Sequence, residues 1–258
     1  MSALAPQTTA TPAAGAQPFL RKVLAQTRVE LTLTMRRGES VLITVIVPAL
    51  LLIFFTLLRV VPSSRPVDYL LPSILALAIM STGMVSLGIA TAYERYYGVL
   101  KRLGSSPLPR VGLLLAKGLS VLVLELGQMA LLLALAIVFY GWRPVGSFWG
   151  ALLAFVLGSA CFAGLGMLMA GALRAEATLA GANGLYLLFL LIPGTILPVD
   201  HLATWLQGPA RALPAAALAE SLRGALMPGG AVPWGSLAVL TAWAIVFLGA
   251  AARTFKWE

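Results

Sequence analysis

The sequence predicts an all-α integral membrane protein with six transmembrane helices. Three observations carry this. Of the 258 residues, 60% are hydrophobic, and the mean hydropathy is +0.94. Only 10% are charged, against about 25% in an ordinary soluble domain. Six apolar runs match the roughly 17–25 residues that a helix needs to cross the hydrocarbon core.

The runs are Val41–Leu58, Tyr69–Ala92, a stretch within Val111–Tyr140, Phe148–Leu173, Ala177–Leu197 and Trp234–Ala252. Before them, residues 1–17 (MSALAPQTTATPAAGAQ) are uncharged and rich in Ala, Pro, Thr and Gln, so a disordered tail is expected. No basic segment leads directly into an early apolar run, so the run at Val41 is expected to be a retained span. The chain divides into this tail, an interfacial amphipathic helix and elbow over residues 18–40, and a six-span domain over residues 41–258.

Lys and Arg orient the spans. With the N-terminus inside, 13 of the 18 basic residues fall on the inner side, and five (Arg59, Arg65, Arg143, Arg211 and Arg223) fall outside. Both termini are therefore expected to be cytoplasmic. The same bias accounts for the net charge of +9, so nucleic acid is not the expected partner.

Pro18–Arg37 places Leu20, Val23, Leu24, Leu31 and Met35 near one helical face, with Arg21 and Arg28 off it. This suits a helix lying in the inner interface; a helix packed on a cytosolic partner is the alternative. Gly38 lets the chain turn up into the first span.

Between the second and third runs stands YERYYGVLKRLGSSPLPR, Tyr93–Arg110, with Glu94, Arg95, Lys101, Arg102 and Arg110. Tyr96, Val99, Leu100 and Leu103 share one helical face. Gly98 bends the chain or admits another backbone, and Pro107 ends the helix. On the residues alone this is either a basic loop on anionic headgroups or a docking knob for a cytoplasmic protein.

The third run carries Lys117, Glu125 and Gln128. Lys117 lies near the cytoplasmic end and is expected to snorkel. Glu125 falls near mid-depth, where a carboxylate is costly and marks a pathway or a pairing. Gln128, at i+3, shares its face. Together they are either a helix–helix hydrogen-bonding pair, with the carboxyl kept protonated by burial, or part of a transport path.

The fourth run is rich in small residues, including Gly158, Ser159, Gly164, Gly166 and Gly171, which lets helix backbones approach closely. Arg174–Ala177 makes a tight turn into the fifth run. That run ends in LLIPGTILP, with Pro193. Two short amphipathic helices follow, at or dipping into the outer leaflet. Asp200 caps the first, which carries Leu202, Trp205 and Leu206 and which Gly208-Pro209 stops. Pro214 opens the second, with Leu218, Leu222 and Leu226 at four-residue spacing and Glu220–Arg223 as an i,i+3 pair.

Several chemistries have no residues to carry them. The chain has no Gly-Lys pair and hence no P-loop, and no HExxH, GxSxG or CxxC. Cys161 is the only cysteine and His201 the only histidine. No metal ligand set, catalytic centre or cofactor site is expected on this chain.

The order Glu-Arg-x-x-Gly-x-Leu-Lys-x-Leu-x-x-x-Pro-Leu-x-Arg, here Glu94, Arg95, Gly98, Leu100, Lys101, Leu103, Pro107, Leu108 and Arg110, resembles the signature of type-2 ATP-binding-cassette exporter permeases. Tyr96 and Tyr97 stand where that family often has charged residues. Lys117 and the closing ARTFKWE are similar to the family too. So is the outer segment with Pro198, Trp205, Leu206, Pro214, Glu220 and Arg223, although Ala203-Thr204 replaces a proline often found there.

The resemblance implies six spans per permease, a second copy of the chain or a homologous permease, and two cytosolic P-loop ATPase subunits holding ATP and magnesium. It implies that Glu94, Arg95, Tyr96, Gly98, Val99, Leu100, Lys101 and Leu103 form a coupling helix seated in the ATPase. It places the substrate path along spans one, two and five, with Glu125, Gln128 and Pro193 as candidates. The plain architecture is most similar to the drug-resistance branch, which implies a plasma-membrane exporter of hydrophobic or amphipathic, drug-like or lipid-like cargo. The alternatives are a lipid, polysaccharide or sodium-like ion exporter and, outside the family, a non-transporting scaffold or an ion-coupled carrier.

Overall fold

The computed structural model describes residues 18–36, 38–59, 65–104, 108–191, 194–195 and 203–254. The tail 1–17, the Pro107 stop, Pro193, Pro198, the Asp200 cap, His201 and residues 255–258 lie outside the described residues. Among the described residues the ordered elements are all helices. They are α1 Phe19–Arg36, α2 Gly38–Leu57, α3 Pro66–Met80, a π-helical segment Ser81–Ser86, α4 Leu87–Tyr96, α5 Val99–Gly104, α6 Arg110–Tyr140, α7 Phe148–Ala172, α8 Ala175–Leu191, α9 Thr204–Arg211, α10 Pro214–Leu226 and α11 Trp234–Thr254.

Four stretches are long and apolar enough to cross a membrane: Pro66–Tyr96, Arg110–Tyr140, Phe148–Ala172 and Trp234–Thr254. Thr44–Leu57 and Ala175–Leu191 are shorter apolar helices. Together they coincide with the six apolar runs of the sequence. Proline opens α3 at its first turn, where the missing N–H costs nothing. Gly141, with φ 60°, closes α6: its N–H donates to Ile137 O, and that of Trp142 donates to Ala136 O.

The core is built on α7. Its small residues let neighbouring backbones close in, as their spacing predicts. A Cβ on Gly166 would lie 2.5 Å from Gly83 O, and one on Gly158 would lie 2.5 Å from Leu218 Cδ1. Gly83 belongs to the π segment, so the widened turn sits where the stretch Pro66–Tyr96 presses on α7. Phe162 of α7 meets Phe189 of α8 edge to face, with 6.1 Å between centroids.

Two sequence expectations are corrected here. The helix α9 runs through Pro209 to Arg211 instead of stopping at Gly208-Pro209. The N–H of Ala212 donates to both Gly208 O and Pro209 O, so the last turn closes despite the lost proline bond. Second, α10 is not amphipathic in place: ten of its 13 residues are buried, Leu218 and Leu222 among them. Its alanines are small enough to pack against α3, α7 and α11 at once. The helix α1 turns Val23, Thr27 and Glu30 inward. Leu20, Leu24 and Met35 of the expected apolar stripe are exposed, beside Arg21, Arg28 and Arg36.

The α7 seam makes a direct prediction. Gly166→Ala should lower stability by about 1–3 kcal/mol, because overpacking must move a backbone carbonyl. Gly118→Ala, where nothing lies within 4 Å, should be neutral or stabilise by roughly 0.5–1 kcal/mol. Thermal unfolding of the two variants in detergent would contradict the seam if they behave alike.

Candidate functional site

The site is built where α4 leaves the bundle. After Tyr96 the chain turns through Tyr97 and Gly98, which has φ 71° and open space around its Cα. That left-handed residue breaks the helix, so Tyr96 and Leu100 do not share one face. The expected face therefore splits. Leu100 is fully buried against Leu113, with Leu103 and Leu108 beside it. Tyr96, Tyr97 and Val99 are exposed, as are Lys101 and Arg102. Tyr93, Tyr96 and Tyr97 form a ring cluster, with the closest centroids 5.2 Å apart.

Arg95 and Glu94 point the other way, into the chain. The Arg95 guanidinium donates to Gly171 O at 2.6 Å and to Leu173 O. It thus satisfies carbonyls left over at the end of α7, where a cation is also favoured by the helix dipole.

Glu94 meets Lys117, whose placement corrects the snorkelling expectation. Lys117 is 1% exposed. Its Nζ donates to Glu94 Oε2 at 2.6 Å and to Glu30 Oε2 at 2.9 Å. The other oxygen of Glu30 accepts from Gln26 Nε2 at 2.9 Å. The helix α1 lies across the start of α6, with Thr27 Oγ1 bonded to Val23 O and within 3.4 Å of Ala116 O. It blocks the outward route, and two carboxylates offer what the interface would have offered.

A second polar crossing lies deeper in α6. Pro48 has no N–H, so Thr44 O, four residues earlier, receives no helical bond from it. Gln128 Nε2 donates to that carbonyl, and Gln128 Oε1 accepts from Thr82 Oγ1 at 3.0 Å. One side chain thereby ties α2, the π segment and α6 together. Glu125 is buried on the same face, facing Ser159, with no hydrogen bond closing on either carboxyl oxygen. It borders a void of about 10 Å³ with Gln128, Met129, Phe155 and Leu222.

A cleft of about 950 Å³ opens along α2, the π segment, α4, α6 and α8. Most of its wall is apolar, with polar points at Thr44, Ser81, Gln128 and Asn183. Glu30, Glu94 and Lys117 form part of its wall. Of the three path candidates, Gln128 lines the cleft, Glu125 lines the small void, and Pro193 lies outside the described residues.

At the opposite end Arg223 of α10 is buried. It donates to Ser73 Oγ at 3.0 Å, Thr195 O at 2.9 Å and Gly194 O at 2.6 Å, and sits 4.9 Å from the Tyr69 ring centroid. Glu220, its i,i+3 neighbour, is half-buried. Pro214 opens α10, Leu206 is half-buried, and Trp205 is exposed.

The described residues thus form a bundle of apolar helices with a cleft, and a turn-bearing segment joins Pro66–Tyr96 to Arg110–Tyr140. A family model described as ABC-2 type transporter matches residues 21–227. The chain belongs to that family: it is the membrane component of an ABC transporter, a subunit type that works with a cytosolic ATPase. No curated protein matches it by sequence.

Gln128→Leu should cost about 1–3 kcal/mol for each buried polar group that loses its bond. Thr82→Val should cost less, since Gln128 keeps its bond to Thr44 O. Equal melting temperatures for Gln128→Leu and wild type would contradict the crossing.

Proposed function

We propose that the chain is the permease half of an ATP-driven exporter at the plasma membrane. Two copies, each with six spans and both termini cytoplasmic, enclose the path. A P-loop ATPase subunit on each copy holds ATP and magnesium; this chain hydrolyses nothing itself. The cargo is a hydrophobic or amphipathic molecule, drug-like or lipid-like. The interfacial helix α1 fits this orientation, since its apolar side chains and arginines are exposed together.

The observation that carries the reading is the cleft of about 950 Å³ sharing its end with the exposed Tyr96–Arg102 surface. Ligand pockets for drug-sized molecules span roughly 300–1,000 Å³ and are mostly apolar with a few polar anchors. Closure of the ATPase dimer on ATP pushes that surface. Because α4 joins it directly to the cleft wall, the push changes the shape of the cargo space.

Two variants separate docking from cargo binding. Tyr96→Asp, on the exposed surface, should lower recovery of the co-purified ATPase and its stimulation. Val123→Trp, on the cleft wall, should leave ATPase recovery intact and reduce transport into inverted vesicles about tenfold or more, equivalent to ~1.4 kcal/mol. Transport that needs no ATPase and disappears in Glu125→Gln would point to an ion-coupled carrier and overturn the proposal.

A further inference from the structure

Three charges meet where α1, α4 and α6 cross, and all three line the cleft. We infer that the Glu30–Lys117–Glu94 clasp is a positioning device that makes α1 a moving part of the coupling unit, so that the shape of the cargo cleft and the pose of the docking segment change together. The inference rests on the coupling role proposed above for the Tyr96–Leu103 segment.

The argument starts from burial. Lys117 is 1% exposed, and the side chains of its two partners are 9% and 11% exposed. Parting such a pair strands a charge among apolar side chains, so the three helices resist separation far more than a surface ion pair would. The partners are remote in sequence: Glu30 and Glu94 lie 87 and 23 residues from Lys117. The clasp therefore binds elements that the chain itself leaves free to part.

The neighbouring residue extends the anchorage. Arg95 holds the end of α4 to the last carbonyls of α7. The last turn of α4 is thus fixed on two sides, by α1–α6 through Glu94 and by α7 through Arg95. Two residues later stands Gly98 in its left-handed conformation, and beyond it α5 is seated on α6 through the buried Leu100 and Leu113. A push on α5 reaches α4, and through the clasp it carries α1 and the start of α6 with it. In the reverse direction, cargo lodged between Tyr93 and Leu33 on the cleft wall shifts α1 against α4 and alters the pose of α5. A merely stabilising ion pair would change how much protein folds, and would not change this correlation.

The test uses the full chain with its co-purified ATPase in nanodiscs, in a Cys161→Ser background. Spin labels at the exposed positions Leu24 and Leu173, both outside the docking segment, report the separation of α1 from the end of α7, to which Arg95 ties α4. With labelled chain diluted into unlabelled, wild type should give one narrow distance that moves when ATP is added. Glu30→Gln keeps size and an oxygen acceptor but removes the charge. It should assemble with the ATPase as wild type does, broaden the distance distribution, and reduce cargo stimulation of the ATPase about fivefold or more. Glu30→Leu should do so more strongly; should that variant fail to assemble, Glu30→Gln decides. An unchanged distribution in Glu30→Gln overturns the inference, and so does a broadened one with full stimulation. Absence of stimulation in wild type would instead count against the proposed coupling itself, while the spin distances still report whether the clasp holds α1 to α4.

Discussion

A lysine ammonium removed from water is stable only where carboxylates and hydrogen bonds replace its hydration. Lys117 meets that requirement with two glutamates from different helices, at 2.6 and 2.9 Å. Much of the surrounding packing follows from this. The helix α1 is held across the start of α6 with Val23, Thr27 and Glu30 inward, which leaves Leu20, Leu24 and Met35 exposed. The last turn of α4 is tied to Lys117 through Glu94 and to the end of α7 through Arg95.

Deeper in the bundle the same logic recurs with other polar side chains. Where a proline withholds a backbone donor, as at Pro48, a side chain from another helix supplies it. Arg223 serves three elements in the same way, bonding the turn at Gly194–Thr195 and Ser73 of α3 from its place on α10. Between lipid-soluble helices apolar contact gives little preference for one arrangement, so small residues and polar crossings select it. The glycine seam of α7 and these crossings together decide which helices touch, and hence where the cleft opens.

The apolar helices were legible because a bilayer imposes a length and a composition that show in one sequence. The glycine stripe of α7 was legible for a similar reason: small residues at helical spacing have one common use. The break after α4 was legible from Gly98, which does turn the chain there. The inward turn of Glu94 and Arg95 was not, since their partners at Lys117, Gly171 and Leu173 are set by packing. Lys117 near a span end suggested snorkelling, and nothing local announced that α1 would cover it. A left-handed Gly98 put Tyr96 and Leu100 on different faces, which a continuous helical projection misassigns. One missed contact did leave a signal: Pro48 marks Thr44 O as a carbonyl in need of a donor, and Gln128 is a mid-run side chain able to give one.

The most direct measurement is a structure of this chain in complex with its co-purified ATPase. The account predicts that the ATPase holds the exposed face of Tyr96–Leu103, and that Lys117 stays within hydrogen-bonding reach of both Glu30 and Glu94. An ATPase seated elsewhere on the chain, with Lys117 parted from Glu94 and turned to solvent, would contradict it.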